Sequence, residues 1–118
     1  MPKVLIVDDA AFMRMRSRKL LEEHGYQVEE AQDGQEAVRK YMESAPDVVL
    51  MDITMPVMDG IAALKEIKKR DPHAKVIMCT AVGQQSLVME AIMSGARDYL
   101  LKPFDPDKVL ASLKKLVG

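Results

Sequence analysis

Val48-Val49-Leu50-Met51-Asp52-Ile53-Thr54-Met55-Pro56-Val57-Met58-Asp59-Gly60 is the stretch on which the reading of this chain turns. Four apolar residues run straight into one acid, and a turn-prone segment holding Pro56 and Gly60 follows. An unbroken apolar run of this kind reads as a strand buried on both faces, as in parallel sheets. Asp52 then stands where that strand surfaces, at its carboxyl end. A carboxylate there is costly to desolvate unless cations or hydrogen-bond donors surround it. For an arbitrary Asp, a cap for the following loop is the simpler account. Four other stretches deliver matching chemistry to the same edge, and they argue for more than a cap.

On the amino-terminal side, Lys3-Val4-Leu5-Ile6-Val7 is a short strand that stops at Asp8-Asp9. Residues 10–24 change to helical spacing, with Met13, Ser17, Leu20, Leu21 and His24 on the inner face. Arg14, Arg16, Arg18, Lys19 and Glu22 fall elsewhere and read as a solvated face, and Gly25 supplies the stop. Residues 26–31 alternate weakly, which predicts a less buried strand at a sheet edge. Asp33-Gly34-Gln35-Glu36 resembles a capping box, opening a helix that carries Ala37, Val38, Tyr41 and Met42 and ends before Pro46.

On the carboxyl side, Asp59 is the expected N-cap of a third helix carrying Ile61, Leu64, Ile67 and Lys68, broken at Asp71-Pro72. Residues 75–79 form a fourth strand that delivers Thr80 and Ala81. The helix after Gly83 turns Leu87, Val88, Ala91 and Ile92 inward and closes at Ser94-Gly95. Asp98-Tyr99-Leu100-Leu101 is a fifth strand ending on Lys102-Pro103. Asp105-Pro106 then caps a last helix lined by Val109, Leu110, Leu113 and Leu116.

Strict strand–helix alternation predicts a parallel sheet with helices on both faces. The expected fold is α/β and flavodoxin-like: a (βα)5 doubly wound five-stranded sheet of order 2-1-3-4-5, in three α/β/α layers. One domain spans residues 1–118, a length too short for an eight-unit barrel. The site then belongs outside the strand carboxyl ends, at the switch point between the first and third strands.

Composition narrows the function. A formal net charge of -1 gives no reason to expect nucleic-acid binding. Cys79 is the only cysteine, so no disulfide framework exists, and its apolar setting marks a small core residue. His24 and His73 make no metal-ligand pattern. Neither a signal segment nor an apolar run of membrane-spanning length is present, and a soluble cytoplasmic monomer with no membrane contact is expected.

Parallel strands share one carboxyl edge, so Asp8, Asp9, Asp52, Thr80 and Lys102 become neighbours. Three carboxylates in a shallow pocket cannot all ionise cheaply without a cation, and oxygen ligands point to magnesium. Asp8-Asp9 taken alone reads as a turn and an N-cap, Thr80 as a loop start, and Lys102 as an ion pair to Asp52. Lys102-Pro103 is a candidate cis peptide that would aim the lysine. A bare carboxylate at the centre of an anion site makes sense if Asp52 itself carries the anion, attacking a phosphoryl group to form an acyl phosphate. Lys102 and the metal would neutralise the equatorial oxygens, and Thr80 would donate to the product. No GxxxxGK[ST] loop is present, which excludes a P-loop nucleotide hydrolase.

Assembled this way, the chain resembles the receiver domain of two-component response regulators along its whole length. Asp8-Asp9-Ala10-Ala11-Phe12-Met13-Arg14, Met51-Asp52-Ile53-Thr54-Met55-Pro56 and Gly83-Gln84-Gln85-Ser86 look most like the CheY chemotaxis branch. The resemblance implies Asp52 as phosphoacceptor from a sensor histidine kinase. It implies magnesium bound by Asp9, Asp52 and the backbone carbonyl of Thr54, with Asp8 helping directly or through water. Thr80, the Ala81 backbone N–H and Lys102 would hold the phosphoryl group, and Tyr99 would be the aromatic switch. Val82 and Thr54 fall where the family tunes dephosphorylation. A flagellar motor switch protein and a phosphatase follow as partners, with dimerisation on phosphorylation as a further expectation. Two alternatives stand beside this reading: a receiver belonging to a longer regulator with a DNA-binding output, and a small magnesium-dependent phosphohydrolase. Against the latter, the position two residues after the nucleophile is Thr54 and not an acid.

Overall fold

In the computed structural model, which describes residues 2–117, five strands and five helices alternate. They are β1 (Lys3–Val7), α1 (Ala11–Glu23), β2 (Gln27–Ala31), α2 (Gly34–Ser44) and β3 (Val48–Asp52). Then come α3 (Gly60–Arg70), β4 (Val76–Thr80), α4 (Gln85–Met93), β5 (Asp98–Leu101) and α5 (Pro106–Val117). The strands pair in parallel in the order β2-β1-β3-β4-β5, as the alternation predicts.

Successive side chains of a strand point to opposite faces, and β1 and β3 divide their apolar residues accordingly. Leu5, Val7, Val49 and Met51 pack under α2, α3 and α4 with Ala37, Tyr41, Leu64, Ile67 and Ala91. Val4, Ile6, Val48 and Leu50 pack under α1 and α5 with Leu21, Val109 and Leu113. Both faces are therefore filled from the same short strands, which is why the sequence shows continuous apolar runs there. At the edge, β2 is only partly buried.

Helix boundaries follow local chemistry. Asp33 accepts from Glu36 N–H at 2.8 Å, and Glu36 reaches back to Gln32 N–H at 3.0 Å. Asp59 caps α3 by accepting from Ala62 N–H at 2.8 Å, and Asp105 accepts from Asp107 N–H at 3.0 Å.

Several inward assignments are corrected. His24 is exposed, because α1 stops at Glu23 and the ring turns back to Leu20 O at 2.9 Å. Ile92 also lies in the open, at the margin of a face that Ala91 already fills. The α1 arginines are not simply solvated: Arg14 and Arg18 both grip Glu30 of β2, at 3.0 and 2.6 Å. Strand β5 buries only Leu100 fully, leaving Tyr99 and Leu101 exposed. No helix among the described residues is long and apolar enough to cross a membrane.

Candidate functional site

Strand ends bring the site together. Register places Val7 beside Met51, Asp52 beside Cys79 and Thr80 beside Leu101, so Asp8, Asp52, Thr80 and Lys102 leave adjacent strands at one edge. Lys102 N–H donates to Thr80 O at 2.8 Å, and Ile53 N–H donates to Cys79 O at 3.2 Å. The ladder is therefore continued one residue past the strands on both sides of β4.

The loop after Asp52 is pinned by close backbone contact. Gly60 N–H donates to Ile53 O at 2.7 Å, and a Cβ at Gly60 would stand 1.9 Å from Asp52 O. Gly34 N–H donates to Met58 O at 2.9 Å, and a Cβ there would stand 2.3 Å from that oxygen. Helices α2 and α3 thus begin directly against the loop that carries Thr54.

Asp8 is buried and Asp9 exposed. Neither caps α1, whose N-cap is Ala10 without a side-chain bond. Asp8 Oδ1 instead accepts from Ala10 N–H at 2.9 Å, and its Oδ2 accepts from Lys102 Nζ at 2.7 Å. The lysine sits nearer Asp8 than Asp52, whose Oδ1 is 3.3 Å away, so the expected simple pair to Asp52 is a shared clamp. Arg14 also donates to the backbone oxygen of Asp8, fixing the end of β1. Lys102-Pro103 is cis.

Asp8, Asp9 and Asp52 each offer an oxygen within 4.8 Å of the others. Burial pushes the Asp52 carboxyl above its usual range; Lys102 opposes the shift, while Asp8 and Asp9 add to it. Burial pulls the Lys102 ammonium down, but the hydrogen bond to Asp8 and the charge of Asp52 outweigh it and hold it above its usual value. One lysine against three acids leaves negative charge in excess. Hard oxygen donors at this separation suit a small divalent cation that keeps several waters.

Thr80 is buried, and Ala81 follows on the loop. Gln84 reaches both, and also Thr54, through bonds that sequence reasoning missed. The one hint was a polar side chain just past Gly83, whose φ of 95° turns the loop back. Tyr99 and Thr80 line a common cleft with Val88, Ile92 and Leu101. Beneath the site Cys79 is buried, and burial pushes its thiol well up, which suits a core residue and not a nucleophile.

An acidic triad at the switch point of a five-stranded parallel sheet, with a lysine clamped across it, defines the class. The chain belongs to the response regulator receiver domain family, whose model matches residues 4–114, and with it to the two-component signalling proteins. It is 56% identical over 117 residues to the chemotaxis protein CheY of Bacillus subtilis, covering 98% of both chains. A receiver domain from Clostridium thermocellum superposes with a TM-score of 0.95 at 32% identity, covering 99% of this chain and 94% of that one. CheY of Borrelia burgdorferi, solved as a CheX-CheY-BeF3-Mg complex, has a TM-score of 0.91 at 39% identity, covering 99% and 90%.

Proposed function

We propose that this chain is a phosphoacceptor switch of the chemotaxis type, loaded on Asp52 by a sensor histidine kinase. The observation that carries the reading is the Lys102 ammonium held between Asp8 and Asp52, beside the oxygen triad. In the transfer, an Asp52 oxygen attacks the phosphorus of a phosphohistidine and forms an acyl phosphate. The P–N bond breaks, and its electron pair stays with the imidazole, which takes up a proton on leaving. Asp8, Asp9, Asp52 and the Thr54 carbonyl would hold magnesium, which supplies charge neutralisation to the phosphoryl oxygens. Lys102 swings from its carboxylates to the phosphoryl group, and the Thr80 hydroxyl and Ala81 N–H donate to it.

Phosphorylation adds roughly 1.5 to 2 negative charges at Asp52. As Thr80 follows them, Tyr99 has the cleft that it shares with Thr80 to move into, and this alters the face made by α4, β5 and α5. That face is the docking surface for a motor switch protein or a second copy, and the protein works in the cytoplasm. The CheX-CheY-BeF3-Mg complex supports both magnesium and a protein partner of the CheX kind. The 56% identity to the chemotaxis protein CheY of Bacillus subtilis supports the chemotaxis reading.

The test is incubation with acetyl phosphate and magnesium, followed by intact mass. The wild-type protein is expected to gain a magnesium-dependent, base-labile phosphate, and a folded Asp52→Asn variant to gain none. A wild type without adduct, or an adduct kept by Asp52→Asn, overturns the assignment.

A further inference from the structure

The two donors that the proposed function offers to the phosphoryl group both point at one atom. Thr80 Oγ1 donates to Gln84 Oε1 at 2.8 Å, and Ala81 N–H donates to the same oxygen at 2.8 Å. A backbone N–H can only donate, so the Gln84 atom facing it is its carbonyl oxygen and its amide nitrogen lies opposite. That nitrogen donates at 3.0 Å to Thr54 Oγ1, which lies on the loop after Asp52. The remaining contact of the Thr80 hydroxyl, to Ala81 O at 3.2 Å, is longer and competes for the same single proton.

We infer that Gln84 is a latch on the phosphoryl pocket: in the unphosphorylated protein its carbonyl fills the place of a phosphoryl oxygen at Thr80 and Ala81. Its amide ties that place to the loop of Thr54. The inference rests on the reading of Asp52 as phosphoacceptor. Gln84 is a positioning residue, since it acts through Thr80 and Ala81. Its neutral carbonyl satisfies a buried hydroxyl that would otherwise lack a good partner. A phosphoryl oxygen is a charged and stronger acceptor, so it displaces the latch. Displacement also cuts the bond to Thr54, and the loop between β4 and α4 is then free to move with Thr80. The ordering of the pocket and the release of the loop thus become one event.

Two variants separate a latch from a structural prop. Gln84→Ala vacates the donors, and phosphorylation at sub-saturating acetyl phosphate is expected to rise about threefold to tenfold, the range of ordinary hydrogen bonds. Gln84→Glu keeps an acceptor on both donors and adds a charge, so its rate is expected to fall below wild type. Amide hydrogen exchange at Ala81, read by NMR without any phosphodonor, is expected to speed up several-fold in Gln84→Ala alone. Unchanged exchange at Ala81, or both variants slowed alike, overturns the latch. A wild type that takes no phosphate while Ala81 stays protected overturns the phosphoacceptor reading, and with it the competition, but leaves the hydrogen bonds standing.

Discussion

Lys102 Nζ lies 2.7 Å from Asp8 Oδ2, closer than to the Asp52 oxygen that it also faces at 3.3 Å. The residues are 94 positions apart and meet because β1 and β5 end at the same edge. Lysine and acids are mostly shielded from water, so the clamp holds in place charges that would otherwise repel.

Removing that cation should therefore expose the repulsion. Lys102→Met is expected to lose about 1 to 3 kcal/mol without divalent ions, since a partly buried pair is broken from one side. Magnesium should recover more of the loss in the variant than it adds to wild type. Thermal melts in chelator and in magnesium check this, and a loss indifferent to magnesium counts against the triad as a cation site.

Opposite outcomes are expected at Gly60, which opens α3, and at Val57 in the loop before it. Gly60→Ala would drive a Cβ into Asp52 O, and backbone cannot step aside as a side chain can, so about 3 kcal/mol or more should be lost. Val57 sits at φ 68° with its side chain in the open, a conformation that a β-branched residue adopts at a cost. Val57→Asn should gain about 1 kcal/mol. Urea denaturation reads both, and a neutral Gly60→Ala would mean that the strand end is softer than its contacts imply.

The clamp of Arg14 and Arg18 on Glu30 gives a pH dependence. Burial pulls the Glu30 carboxyl up, but the hydrogen bonds and charges of Arg18 and Arg14 together hold it below its usual range. A depressed carboxyl stabilises the fold above the unfolded value and loses that contribution as pH falls through the folded one. The groups are partly exposed, so the effect is modest. Glu30→Gln is expected to cost about 0.5 to 1 kcal/mol at neutral pH. The gap to wild type should narrow as pH falls from neutral to below the ordinary Glu value of about 4.3. A gap that stays constant over that range would exclude the ion pairs as its source.

Much of this was legible in the chain because apolar runs and turn residues are local signals. Val48 to Met51 had to be a strand buried on both faces, since no amphipathic helix carries that pattern, and alternation then left a parallel sheet as the economical solution. Strand ends followed from the acids and turn residues that cannot continue inside a sheet. Those ends alone put Asp8, Asp52, Thr80 and Lys102 at one edge.

Other features depended on where side chains travel after the backbone is placed. Periodicity names a helix face but neither its width nor its last residue, so Ile92 reads as internal although Ala91 fills that face, and His24 although α1 stops at Glu23. Whether an arginine on α1 meets water or Glu30 depends on how far β2 lies from it. The same holds for Gln84, whose carbonyl meets Thr80 and Ala81 only because the loop at Gly83 doubles back. Sequence alone determined the order of strands and helices and the acids at their ends, because those are set by contacts between near neighbours. Only the tertiary structure decided which acid holds the lysine and what the Thr80 hydroxyl and Ala81 N–H donate to, because a long side chain has several partners in reach and geometry picks among them.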